Sequence, residues 1–182
     1  VKDCGGVKDA RSKTCRGCSY KKHNRARHPR VPQAQPTEYP SKEWLIEFRG
    51  FFVGDGHIAL NYSKKAKYSN PSLQLCISQR SDNAELLQDI FRKLGGYLAI
   101  VHPKRGNPVR QWRLCGLDKC AAVLENLVSA VTPSKKQKEA VIALEYIRWR
   151  QSIPFHMTPE QQAHAITFVE RIKDIRAFNV QG

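Results

Sequence analysis

The pattern of apolar and polar positions changes near residue 40. Before it apolar periodicity is almost absent; after it regular segments follow with short connections. Residues 44–54 are rich in apolar and aromatic side chains and predict a largely buried helix. Ser41 is placed to cap it, although no acid stands at the third helical position to close a strict capping box. Residues 57–62 and 72–79 alternate with the period of two that a half-buried strand needs, and 63–71 between them is a polar loop. A helix over 84–94, capped by Asp82 and ended by Gly95-Gly96, comes next. Residues 97–102 and 109–115 predict a hairpin across a turn at 104–108. Helices are predicted at 117–130, 135–151 and 159–177, the last started by Thr158-Pro159. This order predicts an α+β fold: a four-stranded antiparallel sheet with helices on one face and further C-terminal helices. No internal repeat is visible. The other sheet face must meet something polar, and function is expected there.

Composition narrows what that polar partner is. The 182 residues suit one ordinary domain with a small appendage, and 41% apolar residues are enough for a core. Thirty-one Lys and Arg against 16 Asp and Glu give a net charge of +15 and a pI near 9.8. Such a field concentrates polyanions and speeds encounter with them. An acidic membrane surface fits less well, because neither an apolar run near 18 residues nor a basic amphipathic helix is present. Nucleic acid is therefore the expected partner, with no membrane.

Residues 1–28 read as a basic, zinc-binding segment, 29–40 as a Pro-rich linker carrying Pro29, Pro32, Pro36 and Pro40, and 41–182 as the compact domain. Cys4, Cys15, Cys18 and His23 gather three thiols and an imidazole in a segment too polar to form a core. A tetrahedral structural Zn²⁺ would supply its folding energy. His28 competes with His23 as fourth ligand, and a basic tail with three free thiols is the plainer alternative. Cys76, Cys115 and Cys120 sit in apolar segments and read as core cysteines. That usage implies an intracellular, reducing compartment.

The chemistry centres on Phe48-Arg-Gly-Phe-Phe-Val-Gly-Asp-Gly56. Gly50 and Gly54 are four apart, so one helical face lacks side chains there. Glycine in a helix costs about 1 kcal/mol against alanine, so two of them suggest that another backbone packs on that face, most simply an identical helix. Asp55 ends the helix where carbonyls already point outward. Carboxylate and helix C-terminus together suit a divalent cation. A plain helix stop and turn is the competing reading of Gly54-Asp-Gly56.

This segment resembles the LAGLIDADG motif of homing endonucleases in its LAGFxDGDG form, and the likeness continues through the element order from about Glu43 to about Arg176. Only one motif is present, so the chain resembles the single-motif members that act as homodimers. The resemblance implies an αββαββα fold whose saddle-shaped sheet lies in the DNA major groove and whose site hydrolyses phosphodiesters with Mg²⁺ or Mn²⁺. It implies Asp55 as metal ligand, with the Gly54 carbonyl as a second. It also implies Gln79 as the polar residue near the scissile phosphate, and Lys136, from the basic turn Ser134-Lys-Lys-Gln-Lys138, as the phosphate-stabilising base. Lys138 is a rival to Lys136. Gly50, Gly54 and Phe51 would form the dimer interface. Base and phosphate contacts are expected from Asn61, Ser72, Gln74, Gln111 and Arg113 on the strands, and from Lys104 and Arg105, with Lys64, Lys65 and Lys67, in the loops. Three departures stand out. Asn83 replaces a second basic residue, Val53 replaces an acid, and Arg49, expected to face outward, replaces a small residue. A non-catalytic DNA- or RNA-binding descendant, such as an intron maturase or regulator, is the alternative these departures keep open.

Overall fold

A computed structural model of the chain describes residues 35–62, 70–80, 84–102, 107–129 and 134–177. Helix α1 (Lys42–Asp55) starts at Ser41, whose Oγ accepts from the Trp44 N–H at 3.2 Å. It passes into β1 (Gly56–Asn61) without a loop. Gly56 makes that possible for a steric reason: a Cβ there would lie 2.4 Å from the Phe52 carbonyl oxygen and 2.5 Å from its Cγ. Gly56→Ala must push strand from helix in a filled core. It is expected to cost roughly 3 kcal/mol in denaturant unfolding; an unchanged midpoint would contradict this packing.

Strands β2 (Ser72–Arg80), β3 (Tyr97–Val101) and β4 (Val109–Cys115) complete an antiparallel sheet in the order β1-β2-β4-β3, with α2 (Ala84–Leu94) between β2 and β3. Alternate positions face the helices: Ile58 and Leu60, Leu73, Leu75 and Ile77, Trp112 and Leu114. They close on Phe48 and Phe52 of α1, Leu87 and Ile90 of α2, and helices α3 (Leu117–Val128) and α4 (Lys135–Gln151). Trp112 is fully buried at the centre, edge-on to Phe48, and its indole N–H donates to the Gly95 carbonyl at 2.7 Å. Helix α5 (Pro159–Ala177) packs on α4, where Phe168 meets the rings of Tyr146 and Trp149. Burial pushes the Tyr146 phenol up to about 12, and its hydroxyl donates to the Pro71 carbonyl at 2.6 Å.

The expected αββαββα order with added C-terminal helices is thus the observed one. The helix expected at 135–151 is observed as α4, and the basic segment 134–138 is its cap and first turn, where Ser134 and Gln137 close a reciprocal capping box. One reading changes. Of the three cysteines expected in the core, Cys120 joins the main cluster, its thiol pushed up to about 12 by burial, Cys76 is buried outside that cluster and Cys115 is half-buried. Cys76 and Cys115 alternate out of phase with the core residues of their strands, so they lie on the other sheet face. Residues 35–40 form neither helix nor strand, and the Thr37 N–H donates to the Arg92 carbonyl at 2.9 Å.

Candidate functional site

Asp55, the last residue of α1, is exposed. Strand β1 begins opposite Ile77, and β2 continues to Arg80, which carries Gln79 beside the end of α1. The Gln79 amide donates to Asp55 Oδ2 at 2.8 Å. Gln79 shares the parity of Leu73, Leu75 and Ile77, while Ser72, Gln74, Cys76, Ser78 and Arg80 take the other. The site glutamine therefore belongs to the helix-side rows at the strand end, not to the open face.

Lys136 stands in the first turn of α4. Its Nζ is 3.8 Å from Oε2 of Glu139, a carboxylate only 2% exposed. Burial lowers the Lys136 ammonium below the usual lysine range; Glu139 opposes that fall, and Arg176 and Lys135 reinforce it. The charge of Lys136 also acts on His57, two residues after Asp55, and on Cys76, the cross-strand partner of His57. The His57 imidazole is lowered chiefly by burial, then by Arg176 and Lys136. Lys138 is exposed on the same helix.

Among the described residues no three His, Cys, Asp or Glu side chains converge as a metal cage. One chain offers the Asp55 carboxylate and the Gly54 carbonyl, which belongs to the last helical turn and has no helical N–H ahead of it. That set fits a hard divalent cation whose other oxygens come from outside the chain, as Mg²⁺ sites on phosphates do. The face of α1 leading to Asp55 is bare. A Cβ on Gly50 or Gly54 would meet nothing within 4 Å, and Ile46 beside them is 61% exposed. Phe51 lies at its edge, half-buried against the core. Arg49 does not face outward as expected: it is half-buried, and its Nη2 donates to Ser129 Oγ at 3.1 Å.

On the open sheet face, pairing aligns polar side chains in rows. Asn61 lies opposite Ser72; Ala59, Gln74 and Cys115 follow; then His57, Cys76, Arg113 and Tyr97; then Ser78, Gln111 and Ala99. The Gln74 amide donates to Tyr97 Oη at 2.8 Å, and the Gln111 amide to Ser78 Oγ at 2.7 Å. Arg113 donates to Gln111 Oε1 and lies over the Tyr97 ring, 5.9 Å from its centroid. These contacts hold the long side chains in place before any ligand arrives. Tyr97, His57, Glu139 and Arg176 were not singled out from sequence. The hairpin register would have found Tyr97, which pairs with Arg113. Lys64, Lys65, Lys67, Asp82, Asn83, Lys104, Arg105, Cys4, Cys15, Cys18, His23 and His28 lie outside the described residues.

No family model and no curated protein matches the chain in sequence. Solved structures do match its fold. The LAGLIDADG meganuclease I-AabMI, bound to uncleaved DNA, superposes with a TM-score of 0.58 at 18% identity over 72% of this chain and 46% of its own. The homing endonuclease I-CvuI, in complex with the I-CreI target in the presence of Mg, gives 0.55 at 15% identity over 76% of this chain and 83% of its own. The LAGLIDADG homing endonuclease I-GzeII, in complex with its DNA target, gives 0.54 at 16% identity over 76% and 44%. The chain thus spans about half the length of I-AabMI and I-GzeII and most of I-CvuI. At these identities the likeness is one of architecture, and it shows that about three quarters of the chain has the fold of the LAGLIDADG homing endonucleases.

Proposed function

We propose that the chain is a LAGLIDADG-type DNA endonuclease that binds a long duplex as a homodimer and cuts it with divalent metal at Asp55. The observation that carries this reading is the Asp55–Gln79 pair at the end of a helix whose glycine face is bare. A second copy packed on Gly50 and Gly54 would bring two Asp55 carboxylates to one axis and supply the ligands that a single chain lacks. A divalent cation held by Asp55 and the Gly54 carbonyl supplies an activated water and neutralises charge on the leaving oxygen. Gln79 holds the Asp55 carboxylate through Oδ2, and Oδ1 would be the oxygen offered to a cation. Lys136 offers positive charge to the phosphate from a half-buried position, where that charge is poorly screened by solvent.

The net charge of +15 supports sequence-independent phosphate binding, and Gln74, Gln111 and Arg113, in successive rows of the open sheet face, support base reading in the major groove. Arg113→Ala is expected to relax discrimination at one base pair by about 1–3 kcal/mol. Competition binding against single-position variants checks this; a loss equal for all sequences would make Arg113 a phosphate contact. Zinc at Cys4, Cys15, Cys18 and His23, and an intracellular reducing setting, are proposed on sequence grounds alone. Metal analysis of the purified full chain against its Cys15→Ser, Cys18→Ser variant addresses the first.

The function is tested by incubating the full chain with a randomised duplex library and Mg²⁺, then sequencing cut ends and bound fragments. Specific cleavage at a site with two related halves supports the proposal. Tight binding without any cutting would favour a non-catalytic binding descendant, a reading that rests on Asn83 standing where a second basic residue is expected.

A further inference from the structure

Glu139 is a buried acid one helical turn from Lys136, and the two form only a long contact of 3.8 Å. Arg176, in the last turn of α5, holds the same carboxylate more tightly: Nε reaches Oε1 at 3.1 Å and Nη2 reaches Oε2 at 2.9 Å. That Nη2 also donates to the Ile58 carbonyl of β1 at 2.5 Å. One planar guanidinium thus ties α5 to α4 and β1, a geometry that the single ammonium of a lysine does not reproduce. The arrangement decides where the charge of Lys136 goes. With Arg176 gone, the buried carboxylate would have Lys136 as its only described cationic partner and would draw the ammonium back along its own helix. With Arg176 present the carboxylate is satisfied twice, and Lys136 keeps its charge near Cys76 and near His57, two residues after Asp55.

We propose that Arg176 is a positioning residue: by taking up the Glu139 carboxylate it leaves the Lys136 ammonium available to the phosphate at Asp55, an assignment that rests on the nuclease reading above. The charged and titratable groups facing Lys136 are Lys135 and Glu139 on α4, Arg176 on α5, His57 on β1 and Cys76 on β2.

The test needs no DNA in its first arm. Acylation of Lys136 by acetic anhydride is followed against pH by mass spectrometry on the full chain, for wild type, Arg176→Met, Glu139→Gln and the double variant. Arg176→Met should raise the midpoint by about one pH unit as Glu139 turns to Lys136. Glu139→Gln should lower it, and the double variant should return to the wild-type value. Where Arg176→Met fails to fold, the other two carry the comparison, since the double variant leaves no buried carboxylate without its guanidinium. A midpoint indifferent to all three changes overturns the proposal. In the second arm, single-turnover DNA cleavage should fall about tenfold in Arg176→Met and recover in the double variant; a double variant as slow as the single one also overturns it. If wild type cuts no duplex, the nuclease reading fails, while the labelling still decides whether Arg176 governs Lys136.

Discussion

Asp55→Asn is expected to slow DNA cleavage by about a thousandfold or more, about 4 kcal/mol of barrier, while the protein still folds and binds. The size follows from the chemistry of the corner. Asp55 is the carboxylate that ends α1 beside Gln79, and an amide offers a hard cation a much weaker oxygen. Folding should hardly respond: the side chain is exposed, and exposed positions away from caps and packing change stability by about 0.5 kcal/mol at most. Binding should hold for a further reason. Two Asp55 carboxylates meeting at a dimer axis without metal repel one another, and the variant removes that repulsion. The check is single-turnover cleavage beside equilibrium binding on the same duplex. Undiminished cutting would place the metal elsewhere.

Gly50→Leu should abolish the dimer without harming the monomer. Nothing lies within 4 Å of a Cβ at this position, so the single chain accommodates the new side chain. Replacing glycine within a helix should even favour the folded monomer by about 0.5–1 kcal/mol. A partner helix in the proposed dimer would meet the opposite situation. Close approach of two backbones would depend on the missing side chains, and leucine would force the helices apart and separate the two Asp55 residues. A dimer weakened by at least about 3 kcal/mol, more than a hundredfold in its dissociation constant, is the expected result in sedimentation equilibrium, with cleavage lost alongside. Unchanged dimerisation together with unchanged cutting would mean that the bare face of α1 is not where two copies meet.

Much of this was legible in the chain because local rules sufficed. Ser41 caps α1 as its side chain predicts, and the alternations at 72–79 and 109–115 mark the strands that carry Gln74, Gln111 and Arg113. Asp55 could be read because glycine spacing, helix end and carboxylate fall within nine residues. What escaped is non-local. The alternation of β2 puts Gln79 in phase with Leu73, Leu75 and Ile77, but its meeting with Asp55 depends on where β1 begins against Ile77, a register that no local pattern contains. The support of Lys136 runs through Arg176, far along the sequence, and a buried Glu139 in a helix reads as one more surface acid until its partner is in place. Arg49 was misread because helical periodicity gives a direction but not the neighbour that occupies it, here Ser129.

The central claim is a metal site shared by two copies at Asp55, and anomalous scattering from manganese tests it most directly. Crystals of the full chain on a duplex recovered by selection, grown with Mn²⁺, should show metal about 2.0–2.2 Å from Asp55 carboxylate oxygens of both copies, beside the phosphates to be cut. Manganese bound only to phosphates away from Asp55, or a single copy of the chain on each duplex, would contradict the account.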